Sequence, residues 1–175
     1  MSQSQPGRNT REEEARRLFE RADREWDRKN LRLALRLFRA AARAGDPGAL
    51  LNVGYFYDKG VGVQRNRSAA LYWYKRAFHR GDAHAANNIA TIWRDEHKIN
   101  RALLWFHKAA ELGADGANLE IAKHYIQDEY DPPKAVRYLA KVCESQMVSE
   151  ADVEEAKRLL KGIKGAARRR LRDDP

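Results

Sequence analysis

Residues 34–45 read ALRLFRAAARAG, and variants of that segment return as ALYWYKRAFHRG from Ala70, ALLWFHKAAELG from Ala102 and AVRYLAKVCESQ from Ala135. The spacings are 36, 32 and 33 residues, a period that signals a repeat architecture rather than one mixed core. Counted from the first alanine, every copy is apolar at offsets 0, 1, 3, 4, 7 and 8, which on a helix forms one wide stripe. Offset 7 is Ala41, Ala77 and Ala109 in three copies, small enough for a neighbouring helix to approach closely. Offset 11 is Gly45, Gly81 and Gly113, the residue type that lets a chain leave a helix in the left-handed conformation. The fourth copy has Gln146 there, so its exit is expected to differ.

A second helical segment precedes each of the later copies. Ala49, Val53, Gly54 and Tyr57 recur as Ala85, Ile89, Ala90 and Trp93, then as Ala117, Ile121, Ala122 and Tyr125. Leu18, Ala22 and Trp26 fit the same frame loosely, with Asp23 in the small-residue slot. Thr10 with Glu13, Asp46 before Pro47, Asp131 before Pro132 and Ser149 with Asp152 read as helix starts. Each repeat is therefore a helical hairpin, and amphipathic hairpins bury their apolar faces by stacking. The expected fold is all-α: a right-handed α-α superhelix of about four hairpins at 11–45, 46–81, 82–113 and 114–148. A capping helix at 149–168 follows, between a disordered tail at 1–10 and a basic tail at 169–175.

Composition fits that plan. The chain has 175 residues, 43% apolar and 34% charged, with a mean hydropathy of −0.80. One cysteine, Cys143, excludes an intrachain disulfide framework and favours a reducing compartment. The longest stretches free of Asp, Glu, Lys and Arg are 11 residues, 47–57 and 83–93. A membrane-crossing helix needs about 20 apolar residues, so no span is expected. The polar opening before Glu12, Glu13 and Glu14 lacks the apolar core of a secretory signal, and a cytoplasmic address is expected.

Residues 49–81, ALLNVGYFYDKGVGVQRNRSAALYWYKRAFHRG, resemble the Sel1-like repeat. The matching positions are Ala49, Val53, Gly54, Tyr57, Gly60, Gly62, Val63, Ala70, Trp73, Tyr74, Ala77 and Gly81. The later hairpins keep the helix signatures without the Gly-x-Gly-Val loop, and so lie between Sel1-like and tetratricopeptide patterns. The resemblance implies a non-enzymatic scaffold or adaptor that binds another protein. Cysteine-rich relatives associated with β-lactams carry paired cysteines that are missing here, so that activity does not transfer.

Catalytic chemistry finds no support. The sequence has no His-Glu-x-x-His, Cys-x-x-Cys, Gly-x-Ser-x-Gly or phosphate loop ending in Gly-Lys-Ser/Thr. Gly60-Val61-Gly62-Val63 follows a helix and lacks a following lysine, so it reads as a structural loop. Cys143 takes the offset filled elsewhere by Ala42, Phe78 and Ala110, and reads as a small core residue. His79 and His107 share slots with charged residues and are expected to face solvent. His84, His97 and His124 lack ligand spacing, so neither metal nor cofactor is expected.

What remains is surface. In arrays of the kind the resemblance implies, the first helices line a concave groove, and the frame assigns to it Leu51, Tyr55, His84, Asn87, Thr91, Arg94, Leu119 and Lys123, the alternative for Leu51 or Leu119 being packing on a neighbouring hairpin. An apolar anchor beside amides and a tyrosine suits protein recognition. The chain carries a net charge of +9, and residues 31–81 hold 10 basic against 2 acidic side chains. Arg32, Arg36, Arg39 and Arg43 fall opposite the core stripe, and Lys75, Arg76 and Arg80 extend the basic face on the next equivalent helix. That convex patch reads first as a solvated arginine-rich face; as a binding surface it suits an acidic protein partner. Nucleic acid is the alternative, with Arg168, Arg169, Arg170 and Arg172 contributing. The aromatics fall in core slots, which leaves bases no stacking platform on the basic face.

Overall fold

The computed structural model describes the backbone of residues 6–173 and the side chains of residues 10–166 and Arg169. Among these the chain forms nine α-helices and no strand. They are α1 (Pro6–Asp27), α2 (Leu31–Ala44), α3 (Pro47–Lys59), α4 (Arg67–Phe78) and α5 (Ala83–Asp95). After them come α6 (Ile99–Glu111), α7 (Ala117–Gln127), α8 (Pro132–Glu144) and α9 (Glu150–Asp173). Side chains close the expected helix starts: Asp46 accepts from the Ala49 N–H at 2.8 Å and Asp131 from the Lys134 N–H at 3.0 Å. Ser149 accepts from the Asp152 N–H at 3.2 Å. Gly45, Gly81 and Gly113 adopt φ of +113°, +86° and +92°, whereas α8 exits through an extended Ser145.

Two boundaries move. Thr10 does not begin a helix, because α1 already starts at Pro6, where a proline's missing N–H costs no helical bond. Helix α9 continues to Asp173, past the expected end at Arg168, since its alanines, arginines and leucine favour the helical state. The side chains of Arg168, Arg170 and Arg172 lie outside the described residues.

The repeat frame holds, with its fully buried part narrower than the apolar stripe. Offsets 0, 4 and 7 are buried in all four copies: Ala34, Phe38 and Ala41; Ala70, Tyr74 and Ala77; Ala102, Phe106 and Ala109; Ala135, Leu139 and Val142. At about 100° per residue these offsets span only about 60° of the helix, and offset 3 lies about 60° to one side. Trp73, Trp105 and Tyr138, at offset 3, are half-buried. Each lies under the cation three residues on: Arg76 at 5.0 Å, Lys108 at 4.4 Å and Lys141 at 5.1 Å from the ring centroid. Trp105 is thus not the core anchor that the sequence suggests. A broad ring at the stripe's edge takes part of its cover from a basic stem and head, and Tyr138 also stacks on Tyr125 of α7 at 5.8 Å.

Residues to Ala85 make one compact unit and residues from Ala86 a second. In the first, α1 packs on α2, α2 on α3 and α3 on α4. Phe38 is its hub, with Phe19 at 5.4 Å and Phe56 at 5.8 Å, while Trp26 meets Phe56 edge-on at 4.6 Å. A Cβ on Gly54 would stand 2.5 Å from the Tyr74 ring, so this glycine sets the approach of α4 to α3. Gly62, at φ +64°, passes Leu31 so closely that a Cβ would stand 2.6 Å from the Leu31 Cβ. Buried Asp58 anchors the same loop: Lys59 Nζ lies at 2.9 Å, and Arg65 Nε donates to the Asp58 carbonyl at 2.7 Å. In the second unit, α6 packs on α7, α7 on α8 and α8 on α9. Leu119, Ala122, Leu139, Val142 and Ala156 form a buried cluster there, with Leu159, Leu160 and Ile163 of α9 against it.

Candidate functional site

The residues assigned to a groove separate into three groups. In the first unit Leu51 is half-buried, His84 is exposed, and Tyr55 is 38% exposed with its ring 5.6 Å from Trp26. In the second, Asn87 and Thr91 are half-buried, and the Thr91 hydroxyl donates to the Asn87 carbonyl at 3.1 Å. Arg94 and Lys123 come together around one pocket. Leu119 does not belong to this surface: it is 2% exposed inside the core cluster. The cause is α9, whose Ala156 joins that cluster and covers the face of α7 that the repeat frame leaves open.

The pocket has a volume of about 210 Å³ and lies among the end of α5, α6 and α7. Ile99, Leu103 and Phe106 give it an apolar floor. Its rim carries a chain of alternating charge. Arg94 pairs with Glu120, Glu120 with Lys123 at 3.2 Å, and Lys123 with Glu155 at 3.1 Å. Burial opposes the Lys123 charge, but Glu120 and Glu155 outweigh it and raise the pKa above the ordinary lysine value. Also on the rim, His124 Nδ1 lies 2.9 Å from Asp128. The sequence pointed to Arg94 and Lys123 but missed Glu120, His124 and the floor, which take their places only once α6 is packed.

A second pocket, about 430 Å³ and polar, corrects the placement of His107, which is half-buried beside Asn118 and Tyr138 rather than free in solvent. Burial holds the His107 pKa below the ordinary histidine value, Lys141 and His124 lower it further, and Glu111 opposes them. On acidification the unfolded chain therefore takes up this proton before the folded one. Stability falls as pH drops from the ordinary histidine value of about 6.5 through the lower folded one. His107→Gln is expected to flatten the fall in urea midpoint between about pH 7 and pH 5; an unchanged slope would contradict the assignment.

Of the basic residues, Arg32, Arg36 and Arg43 on α2 are exposed and Arg39 is half-buried, while Lys75 and Arg76 on α4 and Arg80 in the turn after it are exposed. Arg43, Arg76 and Arg80 share a depression, and Arg11 of α1 joins them. The degenerate first repeat gave no reason to include Arg11. An aromatic does lie on this face: Tyr72 is 57% exposed with the Arg76 guanidinium 5.7 Å above its ring. Its offset of 2 lies outside the apolar stripe. Among the described residues no group of three or more His, Cys, Asp and Glu side chains could hold a metal ion, and no helix is long and apolar enough to cross a membrane.

Comparison with known proteins gives one consistent picture. The family model for the Sel1 repeat matches residues 27–46, 47–82, 94–113 and 125–147. The chitin synthase regulator SKT5 of Saccharomyces cerevisiae is 37% identical over 70 residues, 36% of this chain and 10% of that protein. The crystal structure of a Sel1 repeat protein from Oxalobacter formigenes is similar at 30% identity and a TM-score of 0.55, over 62% of this chain and 47% of that one. A tetratricopeptide repeat protein from Parabacteroides merdae shares the fold at 18% identity and a TM-score of 0.64, over 88% of this chain and 61% of that one. The present chain spans less than two thirds of each of these proteins.

Proposed function

Because this chain belongs to the Sel1-repeat family, whose members generally serve as protein–protein interaction scaffolds, we propose that it is a non-catalytic adaptor that holds a partner protein through the α5–α7 pocket. The observation that carries this reading is the pairing of an apolar floor with a charged rim. A leucine or aromatic side chain of the partner fills the floor, and the rim selects its orientation. Such division of labour, with a desolvated anchor inside and polar contacts around it, is how protein interfaces concentrate affinity. The alternating rim opposes partners that present a bare charge of either sign, so it contributes specificity more than strength. A Sel1/TPR-like repeat fold typically serves as a non-catalytic interaction scaffold, which supports this reading.

The reading is tested by reversing the rim. Arg94→Glu with Lys123→Glu places like charges beside Glu120 and Glu155. Recovery of the native partner from its own cell is expected to fall about tenfold or more, with far-ultraviolet circular dichroism retained. Equal recovery by both proteins would refute the pocket as the docking site.

A further inference from the structure

We propose that the depression between α1, the end of α2 and α4 is a carboxylate-binding site that seats an acidic segment of a partner protein. Arg11, Arg43, Arg76 and Arg80 line this open space of about 450 Å³ in the first unit. Four guanidiniums face two lining carboxylates, Glu12 and Asp46, leaving an excess of two positive charges. Asp46 is already engaged, since its Oδ1 accepts the Ala49 N–H. Among the described residues, none of the four arginines lies within 4.0 Å of a carboxylate oxygen.

Their other contacts leave donors for a ligand. Arg11 spends one Nη on the Arg43 carbonyl at 3.3 Å. Arg76 lies over the Trp73 ring at 5.0 Å, a cation–π contact that does not consume its N–H donors. The side chains of Arg43 and Arg80 make no hydrogen bond or ion pair among the described residues. Arg43 and Arg76 also stand in the last turns of their helices, where the helix dipole favours a cation. That accounts for each singly. It does not account for Arg11 and Arg80 converging with them on one space.

The geometry favours a polypeptide over nucleic acid. Duplex DNA presents one charge per about 1.7 Å along its axis and calls for a track of cations. Here Arg32, Arg36, Arg39 and Lys75 do not line the depression, so the cations cluster at one place. Guanidinium forks match carboxylates two bonds at a time, and Ala15 and Ala42 in the lining offer apolar contact to the stem of a glutamate. The site is separate from the α5–α7 pocket, and its failure leaves that reading untouched.

The test uses the full chain and a fluorescein-labelled decaglutamate peptide, read by anisotropy at about 0.15 M salt. Arg43→Ala with Arg80→Ala is expected to weaken binding about tenfold or more, and the control Arg36→Ala by less than about twofold. A 20-base-pair duplex at equal phosphate concentration is expected not to displace the peptide. Arg80→Glu provides a second variant should the double one lose helicity. Absence of peptide binding by the unmodified chain, an equal loss in Arg36→Ala, or displacement by the duplex would each overturn the proposal, the last in favour of nucleic acid.

Discussion

Phe106→Ala is expected to lower the unfolding free energy of this protein by about 3–5 kcal/mol, and Trp105→Ala by less than half as much. Phe106 is 4% exposed at the centre of the apolar stripe, so truncation leaves a cavity lined by groups that cannot all collapse. Trp105 is half-buried under Lys108, and its removal exposes surface already partly wet. Urea melts followed by circular dichroism read both values. Equal costs would put offset 3 in the core alongside offset 4 and overturn the packing described above.

Gly54→Ala is expected to cost about 3 kcal/mol, although glycine to alanine inside a helix ordinarily gains about 0.5–1 kcal/mol. The sign reverses because the new methyl would stand 2.5 Å from two carbons of the Tyr74 ring, a fully buried side chain. Gly162 of α9 is the internal contrast, with nothing within 4 Å of its missing Cβ. In a Tyr74→Ala background the Gly54 substitution is expected to become nearly neutral, a coupling of about 2–3 kcal/mol in a double-mutant cycle. A cost that persists without the ring would mean that the glycine serves the α3 backbone and not the helix contact.

The architecture was legible because a repeat states its pattern several times. Offsets 0, 4 and 7 are apolar in every copy, and burial follows them. Offset 3 misled because periodicity registers hydrophobicity without ring size: Trp73, Trp105 and Tyr138 are apolar enough to join the stripe yet stay at its edge under a cation. The left-handed residues Lys29, His97 and Tyr130 carried no signal, because none is the glycine that such a conformation favours. Leu119 was assigned outward because the frame treats every first helix alike, while this one alone has α9 beside it. Glu120 escaped notice for a related reason. Its partner Arg94 stands 26 residues earlier, a pairing that exists only once the helices have packed.

Helix α9 packs through one side: Leu159, Leu160 and Ile163 lie on the core cluster, while Glu154, Lys157, Arg158 and Lys161 meet water. A hairpin helix must be sticky on two sides so that another unit can follow, whereas the described outer side of α9 is charged. Its consequence is evolutionary. Tandem duplication can lengthen such an array between existing hairpins, where both flanks remain adhesive. The same duplicated segment placed against the charged side of α9 would find, among the described residues, no comparable apolar surface on which to grow.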